Sequence, residues 1–217
     1  MAKPSLHTVR LFIGLAAVAL LASACATTSP PMRFYLLSPI TETAPAGAAP
    51  GHALGDALVV VGPLQLPGYL DRPELVVRQP DGRFSLRELD RWGEPLDQLL
   101  THTVTANLVR LTGSPRVAAF PLPGRASADL RIIGRVLRFD ADASGLAVLE
   151  VQWSVLDASG EPRVPVRIDA YRAQARSTDA AALVAALSDV LAQFSRQLAD
   201  ALLATGQGAE AARNDAA

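Results

Sequence analysis

Residues 147–156 read AVLEVQWSVL. Leu149, Val151, Trp153 and Val155 alternate with Val148, Glu150, Gln152 and Ser154. A period of two marks a strand with one face in a core and one face wet. Asp157-Ala158-Ser159-Gly160 is turn chemistry and hands the chain to a further strand over Val164–Arg172. Ser177 or Thr178 can then cap a long helix, with Asp179 suited to the positive end of its dipole. Leu183, Leu187, Leu191, Phe194, Leu198 and Leu202 fall on one face of that helix. Gly206 is its expected stop, which leaves 206–217 as a flexible tail.

Upstream, strands are expected over Leu130–Phe139 and Arg116–Phe120. Before them Glu94-Pro95 opens a helix, since proline at a first-turn position loses no hydrogen bond. Leu96, Leu100, Val104, Leu108 and Leu111 make its apolar stripe, and Gly113 supplies its C-cap. Trp92 is expected to pack on its first turn. Glu74–Arg78 and Arg83–Leu89 form a hairpin around Gln79-Pro80-Asp81-Gly82, where Gly82 can take a positive φ. Leu58–Val61 is a continuous branched run, the pattern of a strand buried on both faces, and Gly62-Pro63 is expected to end it. Phe34–Leu37 is a short strand stopped by Pro39, and Thr41–Gly55 reads as a loop or linker. The sum is a single α/β domain over residues 34–205, a mixed β-sheet packed by two main helices.

The chain's first residues decide where that domain lives. Lys3 and Arg10 precede an apolar run, Leu11–Leu21, and small residues 22–24 lead to Cys25, the only cysteine among 217 residues. This is the pattern of a secretory signal, too short to span a bilayer, which needs about 20 apolar residues. Cys25 resembles the lipidated cysteine of a bacterial lipoprotein, with Ala22 where leucine is usual. The alternative is an ordinary Ala-x-Ala cleavage that leaves Cys25 a free thiol. On the first reading 1–24 is a signal peptide and 25–33 a lipidated tether. Removing residues 1–24 leaves 193, enough for one domain with a sizeable core. A net charge of −1 gives no electrostatic argument for nucleic acid.

No catalytic constellation is legible. His7 goes with the signal, His52 lies in the linker and His102 sits mid-helix, where a surface role is expected. Ser144 in Ala-Ser-Gly reads as a turn residue rather than a nucleophile, and Gly206-Gln207-Gly208 follows a helix rather than a strand. Asp140 and Asp142 read as a solvated rim at a strand end. No cofactor, metal site or enzymatic activity is expected. The remaining candidate surface is Leu64–Pro73, where Tyr69, Leu70, Asp71 and Arg72 offer the residue types that dominate interfaces. The competing reading is a connection folded onto its own core, with Asp71 and Arg72 a solvated pair.

Taken together, Phe34-Tyr35-Leu36-Leu37-Ser38-Pro39, Val61-Gly62-Pro63-Leu64, Leu66-Pro67-Gly68-Tyr69-Leu70-Asp71-Arg72-Pro73, Val76-Val77-Arg78 and Arg91-Trp92-Gly93-Glu94-Pro95-Leu96 resemble the ABC-type transport auxiliary lipoprotein family. The likeness runs over roughly residues 25–205. It implies an α/β domain anchored to the outer membrane through acyl chains on Cys25 and facing the periplasm. It implies a non-enzymatic accessory or docking subunit of a phospholipid transport system. The implied partners are an MCE-domain periplasmic protein with its permease, and possible further copies of the chain in a homo-oligomeric ring. Ala26, rather than Asp, at the second mature position resembles lipoproteins sent to the outer membrane. The other readings are a lipid-binding periplasmic carrier, an envelope scaffold and, last, a hydrolase.

Overall fold

The computed structural model describes residues 30–41, 54–123 and 127–214, with side chains to residue 206. The signal, Cys25, His52 and most of the Thr41–Gly55 linker fall outside the described residues. The chain divides into Met1–Met32 and Arg33–Ala217, and every described strand and helix belongs to the second unit.

Its elements run β1 (Arg33–Tyr35), β2 (Val59–Gln65), a single 3-10 turn (Gly68–Leu70), β3 (Glu74–Arg78), β4 (Phe84–Trp92), α1 (Leu96–Thr112), β5 (Val117–Ala119), β6 (Leu130–Asp142), β7 (Leu146–Asp157), β8 (Pro162–Gln174) and α2 (Ala180–Asn214). Among the described residues these strands form one mixed sheet. Strand β6 is its hub. It pairs antiparallel with β7, parallel with β2 over its first half, and parallel with β3 at Ala141 and Asp142. Beyond these lie β5 beside β2, the β3–β4 hairpin with β1, and β8 beside β7.

The alternation that predicted β7 holds on its apolar side. Leu149, Val151, Trp153 and Val155 are all buried, with the β6 residues Ile132, Val136 and Phe139. Helix α2 covers this face with the stripe Leu183, Leu187, Leu191, Phe194, Leu198 and Leu202. Phe194 lies edge-on to Trp153 at 6.0 Å and meets Tyr171 of β8 at 5.9 Å. Among the described residues the opposite face carries no helix. Strand β8 is a sheet edge, with Val166 and Ile168 exposed and with Pro162, Pro165 and three arginines along it. Proline and charge are the usual protection of an edge against strand pairing.

Helix α1 keeps its expected stripe and buries a second one, Leu99, Thr103 and Asn107. The second stripe faces the other helix. Asn107 is fully buried, donates to Ser195 Oγ of α2 at 3.0 Å and accepts from Ile40 N at 2.8 Å. Asn107→Ala therefore strands a buried amide N–H, and we expect a loss of about 2 kcal/mol, measured by chemical denaturation. Gly113 closes the helix at φ 66° as expected, and Gly82 takes φ 82° in the hairpin turn.

Four expectations are corrected. Strand β2 does not end at Gly62-Pro63 but runs on to Gln65. A register shift between Val61 and Leu64 lets the proline sit where no ladder bond is needed. Strand β4 does not end at Leu89 but runs on to Trp92. The residue that caps α2 is Asp179, whose Oδ1 accepts from Ala182 N at 2.9 Å, rather than Ser177 or Thr178. The helix also passes Gly206 and continues to Asn214; the residues after Gly206 are rich in alanine, the best helix former.

Candidate functional site

The two sequence blocks that end in Pro73 and Leu96 come together. Pro73 and Trp92 sit at the two ends of the β3–β4 hairpin, and Trp92 N donates to Pro73 O at 2.7 Å. The turn Gly68–Leu70 thereby lies beside the start of α1. Between them is a groove of about 700 Å³. Leu64, Leu70, Trp92 and Leu96 are its buried floor, while Asp71, Arg72, Glu94 and Asp97 stand on its rim. The turn is stiffened by Leu70 N on Pro67 O, 2.9 Å, and Arg72 N on Leu70 O, 2.8 Å.

The four interface candidates part company here. Leu70 is a core residue at 3% exposure. Tyr69 turns onto the helix-free face of the sheet, where its ring stacks on Phe84 at 4.5 Å and 8°. Its hydroxyl donates to Asp140 Oδ2 at 2.8 Å. Burial, helped by the Asp140 charge, pushes that hydroxyl up to about 12. Tyr69 thus fastens the turn to the sheet. Asp71 and Arg72 are exposed, and neither side chain makes a hydrogen bond or ion pair among the described residues. They are the two free for contact.

Asp140 overturns its reading as a solvated acid. A register shift between Val136 and Arg138 carries β6 on to Asp142, and the Asp140 carboxylate is fully buried. It accepts from Arg78 Nη2 at 2.7 Å, Arg78 Nε at 3.1 Å and Arg138 Nε at 2.9 Å, besides Tyr69. The Arg78 guanidinium also lies 4.7 Å from the Phe84 ring centre. No local sequence signal marks this knot, because its members come from the turn, β3, β4 and β6. Asp142 tightens the next turn by accepting from Ser144 N at 2.8 Å and Leu146 N at 3.0 Å, which makes Ser144 the turn residue expected.

His102 is exposed on α1, with Nδ1 3.6 Å from Glu94 Oε2. Among the described residues no cluster of three His, Cys, Asp or Glu is placed to hold a metal ion. No helix among them is long and apolar enough to cross a membrane.

The fold is shared with solved structures. Protein XCC0632 from Xanthomonas campestris, assigned to DUF330, is 22% identical, with 82% of this chain and 98% of that one covered at a TM-score of 0.66. A structure described only as an uncharacterized protein is 22% identical, covering 79% and 98% at 0.62. No curated protein matches the chain. A family model, the ABC-type transport auxiliary lipoprotein component, matches residues 35–199, a span that includes the groove, the Asp140 knot, the α1 stripe and the α2 stripe as far as Leu198. The chain belongs to the ABC-type transport auxiliary lipoprotein family, whose members are accessory components of transporters rather than catalysts.

Proposed function

We propose that this protein is a non-enzymatic outer-membrane lipoprotein, anchored through acyl chains on Cys25. It serves as the docking subunit of an MCE-type system that moves phospholipid between the membranes. The observation that carries the proposal is the groove. Two distant sequence blocks of a transport-auxiliary chain converge on an apolar floor whose rim holds Asp71 and Arg72 unpaired. A surface that presents free polar groups around buried apolar side chains suits protein docking. Two or more acyl chains hold a protein stably on a bilayer, and Ala26 after Cys25 fits the outer-membrane destination.

The test is affinity purification of the full-length protein from native membranes in mild detergent. An MCE-domain protein should be recovered with it. Asp71→Arg combined with Arg72→Glu should cut that recovery about tenfold, a loss of about 1.4 kcal/mol. Both residues are exposed, so stability should move by no more than about 0.5 kcal/mol. Recovery of the protein alone would overturn the docking role. The groove's volume also falls within the roughly 300–1,000 Å³ range of small-molecule sites, which favours a lipid-binding carrier as the second reading. Phospholipid found by native mass spectrometry on the delipidated domain would support it.

A further inference from the structure

Strand β1 and the residue after it display two large apolar side chains that stay mostly exposed. Phe34 is 66% exposed and Leu36 is 59% exposed. The residues between and around them point to the other side and are held firmly. Arg33 makes two bonds to Asp90, at 2.6 and 3.0 Å, and Tyr35 Oη donates to the same carboxylate at 3.1 Å. Leu37 is buried. Gly93 N donates to Tyr35 O at 2.8 Å, and Leu36 lies across Gly93, where an added Cβ would stand 3.0 Å from it. The period of two is therefore locked, and Phe34 and Leu36 cannot turn in.

The covalent chain identifies what lies opposite them. Nine residue steps separate Cys25 from Phe34. Fully extended, they reach about 30 Å, and a coiled tether averages roughly 16 Å. With Cys25 fixed in a bilayer, β1 is the part of the domain with the least freedom to leave it. We infer that Phe34 and Leu36 rest in the lipid surface and orient the domain upon it, a contact that builds on the Cys25 anchoring proposed above. The nearby charges are already committed, Arg33 to Asp90 and Arg91 to Glu74. The contact is therefore apolar, and salt should not dissolve it.

The test uses the acylated full-length protein reconstituted in phosphatidylcholine vesicles, with Phe34→Trp and Leu36→Trp as separate variants. The native Trp92 and Trp153 are buried and give a constant background. Brominated lipid should quench the added indole roughly twofold or more, at low and high salt alike, as for a side chain seated at the headgroup boundary. Val166→Trp, on the exposed edge strand β8 away from β1, should stay unquenched. An indole at residue 34 or 36 that stays solvent-like overturns the contact. One that shifts to the blue without quenching by bromolipid overturns it too, in favour of a second copy covering β1. A mass showing Cys25 without acyl chains would overturn the anchoring, a failure distinct from either.

Discussion

Asp140→Ala is expected to lower the free energy of unfolding by about 3 kcal/mol, because breaking a buried charge pair leaves its partners uncompensated. Four hydrogen bonds end on this carboxylate: one from Tyr69, two from Arg78 and one from Arg138. Without it two guanidiniums face one another beside an unpaired hydroxyl. The expected loss sits at the low end for buried pairs because Arg78 and Arg138 are each more than a quarter exposed and can turn partly to water. For a domain of this size the melting temperature should fall by roughly 6–12 °C. Asp140→Asn should be nearly as damaging, since its amide presents donors to donors. Tyr69→Phe, which keeps the stack on Phe84, should cost only about 1 kcal/mol. The 64–73 segment should also become the first site of limited proteolysis in the alanine variant. An unchanged melting point in Asp140→Ala would show that the knot adds no stability.

Trp153→Ala should be the most damaging single truncation of the core, at about 4 kcal/mol. Its side chain is 1% exposed and lies where β7, β8 and α2 meet. It donates Nε1 to Asp169 Oδ2 at 2.8 Å, receives the edge contact of Phe194 and carries the Arg167 guanidinium at 5.3 Å over its ring. Alanine removes all three and leaves a hole that the ladder partners of β7 prevent from closing. Trp153→Phe retains most of the volume and should cost about half as much. Urea unfolding followed by circular dichroism measures both. A Trp153→Ala loss below that of Asn107→Ala would mean that the sheet yields at this point.

How far the chain was legible follows from the range of each interaction. The stripe from Leu183 to Leu202 and the alternation from Leu149 to Val155 are local periodicities, and both appear in the fold as read. Gly62-Pro63 was read by residue type as a stop. The strand runs through it because β6 and β5 pair on either side of β2. No local pattern could show β6 as the hub, since its partners come from distant regions of the chain. The candidate site was half legible for the same reason. Residues 64–73 carry an interface composition, and in the fold Asp71 and Arg72 stand on the rim of a groove. What Tyr69 does was hidden, because its partner Asp140 is 71 residues away. Asp140 itself looked like a surface acid because Arg78 and Tyr69, which supply three of its four bonds, are distant in sequence, and only Arg138 is local.

The order in which the core is completed bears on when such a chain can fold during synthesis. Helix α2 carries the apolar stripe that covers β6 and β7, and it is the last of the described elements to leave the ribosome. Until Ala180 and the residues beyond it are present, the faces of β6 and β7 that carry Ile132, Phe139, Leu149 and Trp153 have nothing to pack against. A fragment that stops short of this helix is therefore expected to stay unfolded. Folding of the domain waits for the helix to arrive, however complete the sheet already is.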